Sequence, residues 1–328
     1  MIAQLDKTFI KISKRKTYTR LFSYFFEGRP LTTKGRWINP LVFFTYRVFN
    51  ELNLTKKVEK PIFVIGTGRS GTTILGLTLS IHRDVAFLNE PKAFWSHIID
   101  SEDLIGSYSK KPGKYSIDPG ILEDKSIKAA RNILGNYLAF SGATRLVDKY
   151  PELIFRTDIV RKIHPEAKFL FLYRNGWDTC HSIDTWSKRL GVTTEHEIHD
   201  WWGRNEQKWL ALQELVENDP VLSCHANTIF KYTDHQSRAA VEWILTMKKG
   251  LQLLEQIPDA VMGVKYERFV ADEPFREEIL NFCELDDDIN FTTYCSATLT
   301  PPAPKPPIKL PEEIKNEFHR VMRELGYE

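Results

Sequence analysis

The sequence predicts an α/β protein with a central, mainly parallel sheet that is flanked by helices. Short apolar runs alternate with segments of helical periodicity, a pattern typical of a sheet covered on both faces. One run, KFLFLYR at 168–174, has the continuous apolar centre of a strand buried on both sides. A glycine-rich stretch lies directly between another apolar run and a helical segment, which is the arrangement of many anion-binding loops.

The chain length and composition fit one large α/β domain or two modest domains. Of the 328 residues, 42% are hydrophobic and 27% are charged, as in ordinary globular proteins. The four cysteines form no Cys-x-x-Cys pair, so we predict neither a metal site nor a disulfide framework. The first residues carry charges where a signal peptide needs an apolar stretch, and no apolar run approaches the roughly 20 residues of a membrane span. We therefore expect a cytoplasmic protein.

The first 60 residues differ in charge from the rest of the chain. They contain 13 Lys/Arg against 4 Asp/Glu, a balance of +9, so the remainder carries −7. They also contain two aromatic clusters, RLFSYFF and RWINPLVFFTYRVF. Such a segment either lies on an anionic membrane surface or forms helices that pack on the domain with solvated lysines. We favour the second, a basic aromatic helical extension (1–60) packed on a core domain (61–328), and keep peripheral membrane contact as the alternative.

Strands and helices follow one another along the core domain. The predicted strands are PIFVIG (61–66), VAFLNE (85–90), TRLVDK (144–149), KFLFLYR (168–174) and AVMGVKY (260–266). The predicted helices are GTTILGLTLSIH (71–82), ILEDKSIKAARNILGNYLAF (121–140), ELIFRTDIVRKIH (152–164), several after 176 including HEIHDWWGRNEQKWLALQEL (196–215), and PEEIKNEFHRVMRELG (311–326). GSYSKKPGKYSIDPG (106–120) reads as an exposed loop, and the prolines of TPPAPKPPIKLP (300–311) predict an extended arm.

The glycine-rich loop lies within VIGTGRSGTTIL (64–75). Between a buried strand and a helix, its backbone N–H groups and the helix dipole favour a phosphate-like anion. A nucleoside-triphosphatase loop would need a lysine after Gly71, where Thr72 and Thr73 stand. A dinucleotide-binding loop remains open, because Gly66, Gly68 and Gly71 have its spacing.

The acidic residue of a dinucleotide site, about 20 positions further on, is available as Glu90. That interpretation leaves Arg69, Ser70 and the two threonines unexplained, since a dinucleotide loop does not need a concentrated cationic and hydroxyl set. A terminal oxyanion does need one. The loop alone therefore favours a ligand with a charged end.

Four blocks of the sequence resemble the sulfotransferases that use 3′-phosphoadenosine 5′-phosphosulfate (PAPS), in the branch with arginine in the loop. GTGRSGTT is similar to the 5′-phosphosulfate loop and DKYPELIFR to the Asp-Lys-x-Pro segment. HPEAKFLFLYRNGWDTCHS resembles the 3′-phosphate motif, and VKYERFVADEPFREEILNFCELD with RELGY resembles the carboxyl-terminal part. The blocks cover 61–328 in the family's order.

The resemblance implies a single P-loop-like domain and an enzyme that transfers a sulfuryl group from PAPS to an acceptor hydroxyl, releasing 3′,5′-adenosine bisphosphate without a metal. The acceptor hydroxyl would belong to a lipid, steroid, phenol or glycan. The implied cofactor-binding residues are Gly68, Arg69, Ser70, Gly71, Thr72 and Thr73 for the 5′ end, and Arg174 and Ser182 for the 3′-phosphate. Because PAPS is anionic at both ends, these two groups should flank an adenosine.

The implied catalytic residues are Arg69, Lys149 and Glu90. Arg69 and Lys149 would steady the transferred group and the leaving oxygen. Glu90 ends the second strand at the same rim and would be the general base, with a pKa raised by its cleft. His97 is the competing base, and Asp148 would instead orient Lys149.

Several points stay open in the sequence. The family motif has Asp-Pro-Arg after its phosphate-binding arginine, whereas RNGW stands here, and no aromatic partner for the adenine is identified. Trp201, Trp202 and Trp209 are either core residues or the lining of an acceptor cleft, and residues 92–120 are expected to border the acceptor. His181 reads as structural. An NAD(P)-dependent oxidoreductase and a non-catalytic nucleotide-binding scaffold are the alternative functions, and no nucleic-acid partner is predicted.

Overall fold

A computed structural model describes residues 4–52, 56–193 and 196–328. Residues 1–3 and 53–55 of the predicted extension lie outside this range. The strands are β1 (Ile62–Gly66), β2 (Val85–Asn89), β3 (Arg145–Lys149), β4 (Lys168–Tyr173), β5 (Val192–Thr193), β6 (Ile198–Asp200), β7 (Gly203–Arg204) and β8 (Val261–Lys265). The helices before β4 are α1 (Lys7–Ile12), α2 (Lys14–Phe22), α3 (Tyr24–Glu27), α4 (Asn39–Glu51), α5 (Thr72–Ser80), α6 (Lys92–Ile98), α7 (Asp124–Ser141) and α8 (Thr157–Ile163). Those after it are α9 (Gly176–Leu190), α10 (Gln207–Glu217), α11 (Ala226–Ile229), α12 (His235–Gln256), α13 (Tyr266–Ala271), α14 (Glu273–Phe282), α15 (Ile289–Thr298) and α16 (Glu312–Glu324).

The five predicted strands form one parallel sheet in the order β2-β3-β1-β4-β8. β1 is central, with β3 on one side and β4 on the other. The chain adds β2 and β3 on one side of β1 and then crosses to β4 on the other side. In open α/β sheets, ligands bind at the carboxyl ends of the strands where the order switches in this way. The predicted fold class is confirmed.

The two faces of the sheet pack in two separate apolar clusters. Alternating residues of β1 divide between them: Phe63 and Ile65 belong to one, and Ile62 and Val64 belong to the other. This follows from the alternation of side chains along a strand. Because helices cover both faces, β1 is buried along its whole length and β4 is buried except at its two end residues, and both read as apolar runs in the sequence.

The predicted helix at 196–215 is wrong in its first half. The short strands β5, β6 and β7 form a small antiparallel sheet, and α10 begins only at Gln207. The φ angles of Gly203, Asn205 and Glu206 are +81°, +47° and +64°, which are left-handed values that a continuous helix excludes. The tryptophan spacing imitates a helix, but the first two tryptophans lie in a hairpin turn.

The first helices pack against the sheet and its covering helices. Lys16 is buried and its Nζ donates to the carbonyl of Val85 at 2.7 Å. The rings of Phe26 and Tyr137 lie 4.6 Å apart, between α3 and α7. Among the described residues, none of the helices combines the length and the apolar character needed to cross a bilayer. At the other end, residues 300–311, the predicted extended arm, form neither helix nor strand and lead into α16.

Candidate active site

A cavity of about 350 Å³ opens at the carboxyl edge of the sheet. The glycine loop after β1, the residues after β2 and the β6–β7 turn form much of its wall. A further part comes from residues 28–33, which connect α3 to α4. The predicted site residues on the wall are Gly68, Arg69, Thr72, Thr73 and Glu90. The cavity therefore lies where the sheet order places a ligand.

The backbone of the glycine loop contains positive φ angles, which glycine adopts readily. Gly66 and Gly71 have φ angles of +140° and +111°, and Arg69 between them has +69°. α5 begins at Thr72, directly after the loop. The first N–H groups of a helix have no partner within it, and Thr72 and Thr73 at the start of α5 line the cavity, so this helix start can serve an anion.

Two aromatic rings lie against the loop. A Cβ on Gly68 would lie 2.5 Å from the indole of Trp201, and one on Gly71 would lie 2.3 Å from the ring of Tyr266. Both positions therefore require glycine for close packing, and Gly71 also requires it for its positive φ angle. Ser70 is buried, and its hydroxyl donates to the carbonyl of Thr67 at 2.6 Å. In this arrangement Ser70 holds the loop together from inside.

Glu90 and Lys149 are in contact at the rim. They follow neighbouring strands, and the backbone N–H of Glu90 donates to the carbonyl of Lys149 at 2.7 Å. Lys149 Nζ forms an ion pair with Glu90 Oε1 and also donates to Thr73 Oγ1 at 3.3 Å. The side chain of Lys149 is 1% exposed and that of Glu90 is 37% exposed. The structure thus joins three predicted site residues, with the carboxylate facing the cavity.

The pKa of Glu90 moves in the direction opposite to the predicted one. Burial alone would raise the pKa of Glu90, but the charges of Lys149 and Lys92 outweigh burial and hold that pKa below its usual range. Lys92 Nζ lies 3.6 Å from Glu90 Oε2. Glu90 is therefore ionised at neutral pH, as a proton acceptor must be before it acts.

A buried chain of alternating charges connects Glu90 to the tryptophan on the loop. Lys92 lies 3.5 Å from Glu152, and Lys208 lies 3.4 Å from Glu152. Lys208 also pairs at 2.7 Å with Glu242, whose second carboxylate oxygen accepts from Trp201 Nε1 at 2.7 Å. Each buried charge has a partner of opposite sign, which fixes the cavity wall in one arrangement.

The predicted 3′-phosphate residues are outside the set that lines the cavity: Arg174 directly follows β4, and Ser182 lies on α9. Arg174 forms an ion pair with Asp178 (2.8 Å) and lies 4.6 Å from the ring of Tyr266. Ser182 Oγ accepts from Arg69 Nε at 3.2 Å. The two predicted oxyanion groups are thus bridged by the Arg69 side chain, although the sequence predicts them an adenosine apart. Burial and the charges of Arg189 and Arg174 lower the pKa of Arg69, against the opposing effect of Glu90, so positive charge concentrates here.

The unusual RNGW sequence has a local structural cause. Asn175 caps α9, because its side chain accepts from the backbone N–H of Trp177 at 2.9 Å. A Cβ on Gly176 would lie 2.4 Å from Phe318 of α16, so the first residue of α9 must be glycine for this packing. The departure from the family motif is therefore a different helix start with Arg174 kept at the strand end.

The other candidate residues of the site do not share the cavity. Asp148 accepts from Trp95 Nε1 at 2.8 Å on the face of β3 opposite Lys149, and burial raises the pKa of Asp148 to about 8. It does not orient Lys149. His97 is on the outer side of α6 beside Phe43 and Tyr46. His181 is packed on the extended arm, with its Nε2 3.0 Å from the Pro306 carbonyl.

The three tryptophans divide between the two predicted roles. Trp202 and Trp209 are buried, with their rings 5.8 Å apart. Trp201 lines the cavity together with Trp186, at a ring distance of 5.3 Å. The hairpin turn explains this division, because it sends the two neighbouring indoles in different directions.

Sequence reasoning missed three parts of the site. They are the part of the wall made by residues 28–33, the chain of buried charges that begins at Lys92, and Tyr266, whose ring packs against the glycine loop. Tyr266 had a usable signal, since it ends the strand predicted at 260–266 and strand ends share one edge. The other two depend on how distant segments pack and had no such signal.

A family model shows the family of this chain. A family model described as the sulfotransferase family matches residues 61–288. A protein-tyrosine sulfotransferase from Drosophila melanogaster is 32% identical over 141 residues, which are 41% of this chain and 27% of that protein; the match thus spans about a quarter of the relative. Sulfotransferase STF1 from Mycobacterium tuberculosis H37Rv is 14% identical with a TM-score of 0.48, covering 99% of both chains. The sulfotransferase domain of the curacin biosynthetic pathway is 15% identical with a TM-score of 0.45, covering 83% of this chain and 99% of that one.

Proposed function

The chain belongs to the sulfotransferase family, and from this membership we propose that it transfers the sulfuryl group of PAPS to an acceptor hydroxyl. The observation that carries the proposal is the contact of Glu90, Lys149 and Thr73 at the cavity rim, directly beside the glycine loop. This contact supports a single reaction centre, at which the acceptor proton is taken up and the charges on the transferred group and the leaving oxygen are stabilised.

The residues at the site fit a donor with two anionic ends. We assign the 5′ end to the loop amides of Gly68 and Gly71, the first turn of α5 and Arg69. We assign the 3′-phosphate to Arg174, which directly follows β4, and to Ser182 on α9, because a guanidinium suits phosphate oxygens. Nε and Nη2 of Arg174 donate to Asp178 in the structure, so the phosphate would share the guanidinium with that carboxylate. Ser70 supports the loop through its bond to Thr67 and does not line the cavity.

For the adenine, Tyr266 is the aromatic residue that we propose as partner. Its ring touches the loop at Gly71 and lies under the Arg174 guanidinium, between the two assigned anion groups. This position agrees with an adenosine that joins two charged ends. Arg69 now spans the same interval by its bond to Ser182, so we expect the Arg69 side chain to turn toward the 5′ end when the donor binds.

The residues then have distinct tasks during the reaction. Bound PAPS supplies the sulfuryl group and a nucleotide leaving group. Glu90 Oε1 exchanges its contact with Lys149 for the acceptor hydroxyl and takes up its proton. Lys149 Nζ, with Thr73 beside it, moves its charge to the oxygen on which negative charge develops. Arg69 screens the charge of the transferred group. We propose no metal in this scheme.

The acceptor is proposed as a small molecule, lipid or glycan with a free hydroxyl, held by the wall of residues 28–33 and by the cavity side of residues 92–120. We propose that the chain consists of a core domain (61–328) and an extension (1–60), and that the extension contributes to the acceptor site through residues 28–33. We further propose a cytoplasmic location with peripheral membrane contact through residues 1–60.

The oxidoreductase alternative has no support from the comparisons. In a dinucleotide site the acidic residue must be free to accept from a ribose hydroxyl. Here Glu90 pairs with two lysines. A scaffold without catalysis would leave the exposed carboxylate beside a buried lysine without a purpose.

Calorimetry with 3′,5′-adenosine bisphosphate and with NAD tests the proposal. We expect binding of the first and none of the second. Incubation with sulfur-labelled PAPS and an extract of the source cells should then transfer label to an extract component. NAD binding, or bisphosphate binding without any transfer, would refute the proposed reaction.

A further inference from the structure

Helix α4 has apolar residues on two opposite faces. Val42, Tyr46 and Phe49 face the core and are buried. Leu41, Phe44 and Val48 follow at the same helical spacing on the outer face and are exposed. At 100° per residue, these three lie within about 60° of one another and well away from the buried set. Trp37, just before the helix, is 83% exposed, and the ring of Phe44 is 59% exposed.

Cations flank this outer face, which we define as Trp37, Leu41, Phe44 and Val48. They are Lys34, Arg36 and Arg47, all exposed. Within the described ranges none of the three has an ion pair or a hydrogen bond from its side chain. Glu51 closes the face at the end of the helix. The combination of a large indole, further apolar groups and free cations is typical of helices that lie in an anionic membrane interface.

We propose that the outer face of α4 docks on an anionic lipid bilayer, with Trp37 and Phe44 inserted at the headgroup level and Arg36 and Arg47 bound to lipid phosphates. A protein partner is the less favoured occupant, because the unpaired cations and the +9 balance of residues 1–60 call for an extended anionic surface. Single exposed apolar residues are common on proteins, but a row of three over about 10 Å of helix with an exposed indole just before the helix is not.

The docked orientation has a consequence for the acceptor. Thr33 lines the cavity, and Trp37 follows four residues later, so docking holds the cavity mouth beside the headgroups. This step rests on the proposed function: the acceptor is then a hydroxyl carried by a lipid in the same bilayer. The docking itself does not depend on catalysis.

Flotation with lipid vesicles tests the docking. Vesicles of phosphatidylcholine alone are compared with vesicles that also contain about 30% phosphatidylserine. We expect the wild type to bind the anionic vesicles at least about tenfold more strongly, and to be released as the salt rises to about 0.5 M. Trp37→Ser/Phe44→Ser should weaken binding at least about tenfold, and Arg36→Gln/Arg47→Gln roughly fivefold for each arginine on anionic vesicles only.

The matched control is Leu210→Ser/Ile289→Ser, two exposed apolar residues on other helices, which should bind as the wild type does. Wild type that stays unbound, or a Trp37→Ser/Phe44→Ser variant that binds normally, overturns the docking. Self-association of the wild type without lipid, together with a monomeric Trp37→Ser/Phe44→Ser variant, also overturns it.

The lipid acceptor is tested separately. Vesicles of total lipid from the source cells, incubated with labelled PAPS, should acquire label, and lipid that stays unlabelled would overturn the lipid acceptor. Thermal stabilisation by 3′,5′-adenosine bisphosphate is measured in parallel, since failure of the proposed function appears there and leaves flotation unchanged.

Discussion

Two cation–carboxylate pairs lie at the carboxyl edge of the sheet, and they differ in which partner faces outward. On the β2–β3 side, the buried partner is Lys149 and the carboxylate of Glu90 is 37% exposed. On the β4 side, the carboxylate of Asp178 is 4% exposed and Arg174 is 16% exposed. The first pair presents a carboxylate to the cavity, and in the second pair the cation is the more exposed partner.

The surroundings of the two pairs strengthen this contrast. Asp178 is fixed by a second bond, from the backbone N–H of Lys305 at 2.7 Å, so it is tied to the extended arm. Glu90 has a left-handed backbone, with φ of +49°, and a second lysine nearby. A contact between two side chains, such as that of Glu90 with Lys149, exchanges partners more readily than a bond to the backbone, such as that of Asp178 with Lys305. We therefore propose that the first pair takes up the acceptor proton and stabilises the developing negative charge. The second pair, we propose, anchors the donor.

The largest expected effect is that of Lys149→Met. It removes the charge proposed for the leaving oxygen and leaves Glu90 without its closest cation, so kcat should fall by about 10³-fold. Label transfer from PAPS at saturating donor measures this. Lys168→Met is the control, since Lys168 begins β4 at the opposite edge of the same sheet and bonds to the Asp259 carbonyl. A loss below about tenfold would remove Lys149 from the reaction.

The next effect tests the carboxylate of the same pair. Glu90→Gln keeps the shape of the side chain and removes the base, so kcat should fall by about 10²-fold while the affinity for 3′,5′-adenosine bisphosphate persists. Steady-state kinetics and calorimetry separate these two quantities. Glu284→Gln, a partly exposed carboxylate paired with Lys60 at the far edge, should behave as wild type. If His97→Ala instead gives the larger loss, the base has been assigned to the wrong residue.

The anchoring pair should respond in affinity and not in rate. Arg174→Ala is expected to weaken binding of 3′,5′-adenosine bisphosphate by roughly 30-fold, because one guanidinium–phosphate contact is lost. At saturating PAPS, kcat should stay within about threefold of the wild-type value. Arg320→Ala, which removes a surface arginine paired on α16, is the matched control. A large fall in kcat for Arg174→Ala would erase the contrast between the two pairs.

Features set by residues close together in the chain could be predicted from the sequence, and contacts between distant segments could not. The five strands were predictable, because each is a short apolar run with a clear end. Glu90 and Lys149 were predictable as neighbours of the site, since strand ends share one edge. Their direct contact depends on β2 lying next to β3, and the order of strands is not written in any local pattern. The helix assigned around Trp201 was wrong because its aromatic spacing is helical, while three left-handed residues bend the chain.

The pKa of Glu90 was misjudged for a related reason. A carboxylate in a cleft is expected to have a raised pKa when only burial is considered. The charges that reverse the direction come from Lys149, 59 residues away in sequence, and from Lys92, whose side-chain direction is set by α6. Local sequence predicts that a residue is buried but not which charges meet it.

The smallest expected effect concerns the pH dependence of kcat/KM, which reports on the ionisation of Glu90 in the pair with Lys149. Because Lys92 helps to hold the pKa of Glu90 below its ordinary value of 4.5, the acid limb of the pH profile of kcat/KM should lie below that value in the wild type. Lys92→Met removes one lowering charge, so the pKa of Glu90 rises and the acid limb moves to higher pH. Near neutral pH Glu90 stays ionised in both proteins, and the rate should change less than about threefold. Lys92→Arg keeps the charge and should restore the wild-type limb, whereas a merely structural Lys92 would lower the rate equally at every pH. A limb that does not move in Lys92→Met would show that Lys149 alone sets the ionisation of Glu90, and the contrast with Asp178 would then rest on a single ion pair.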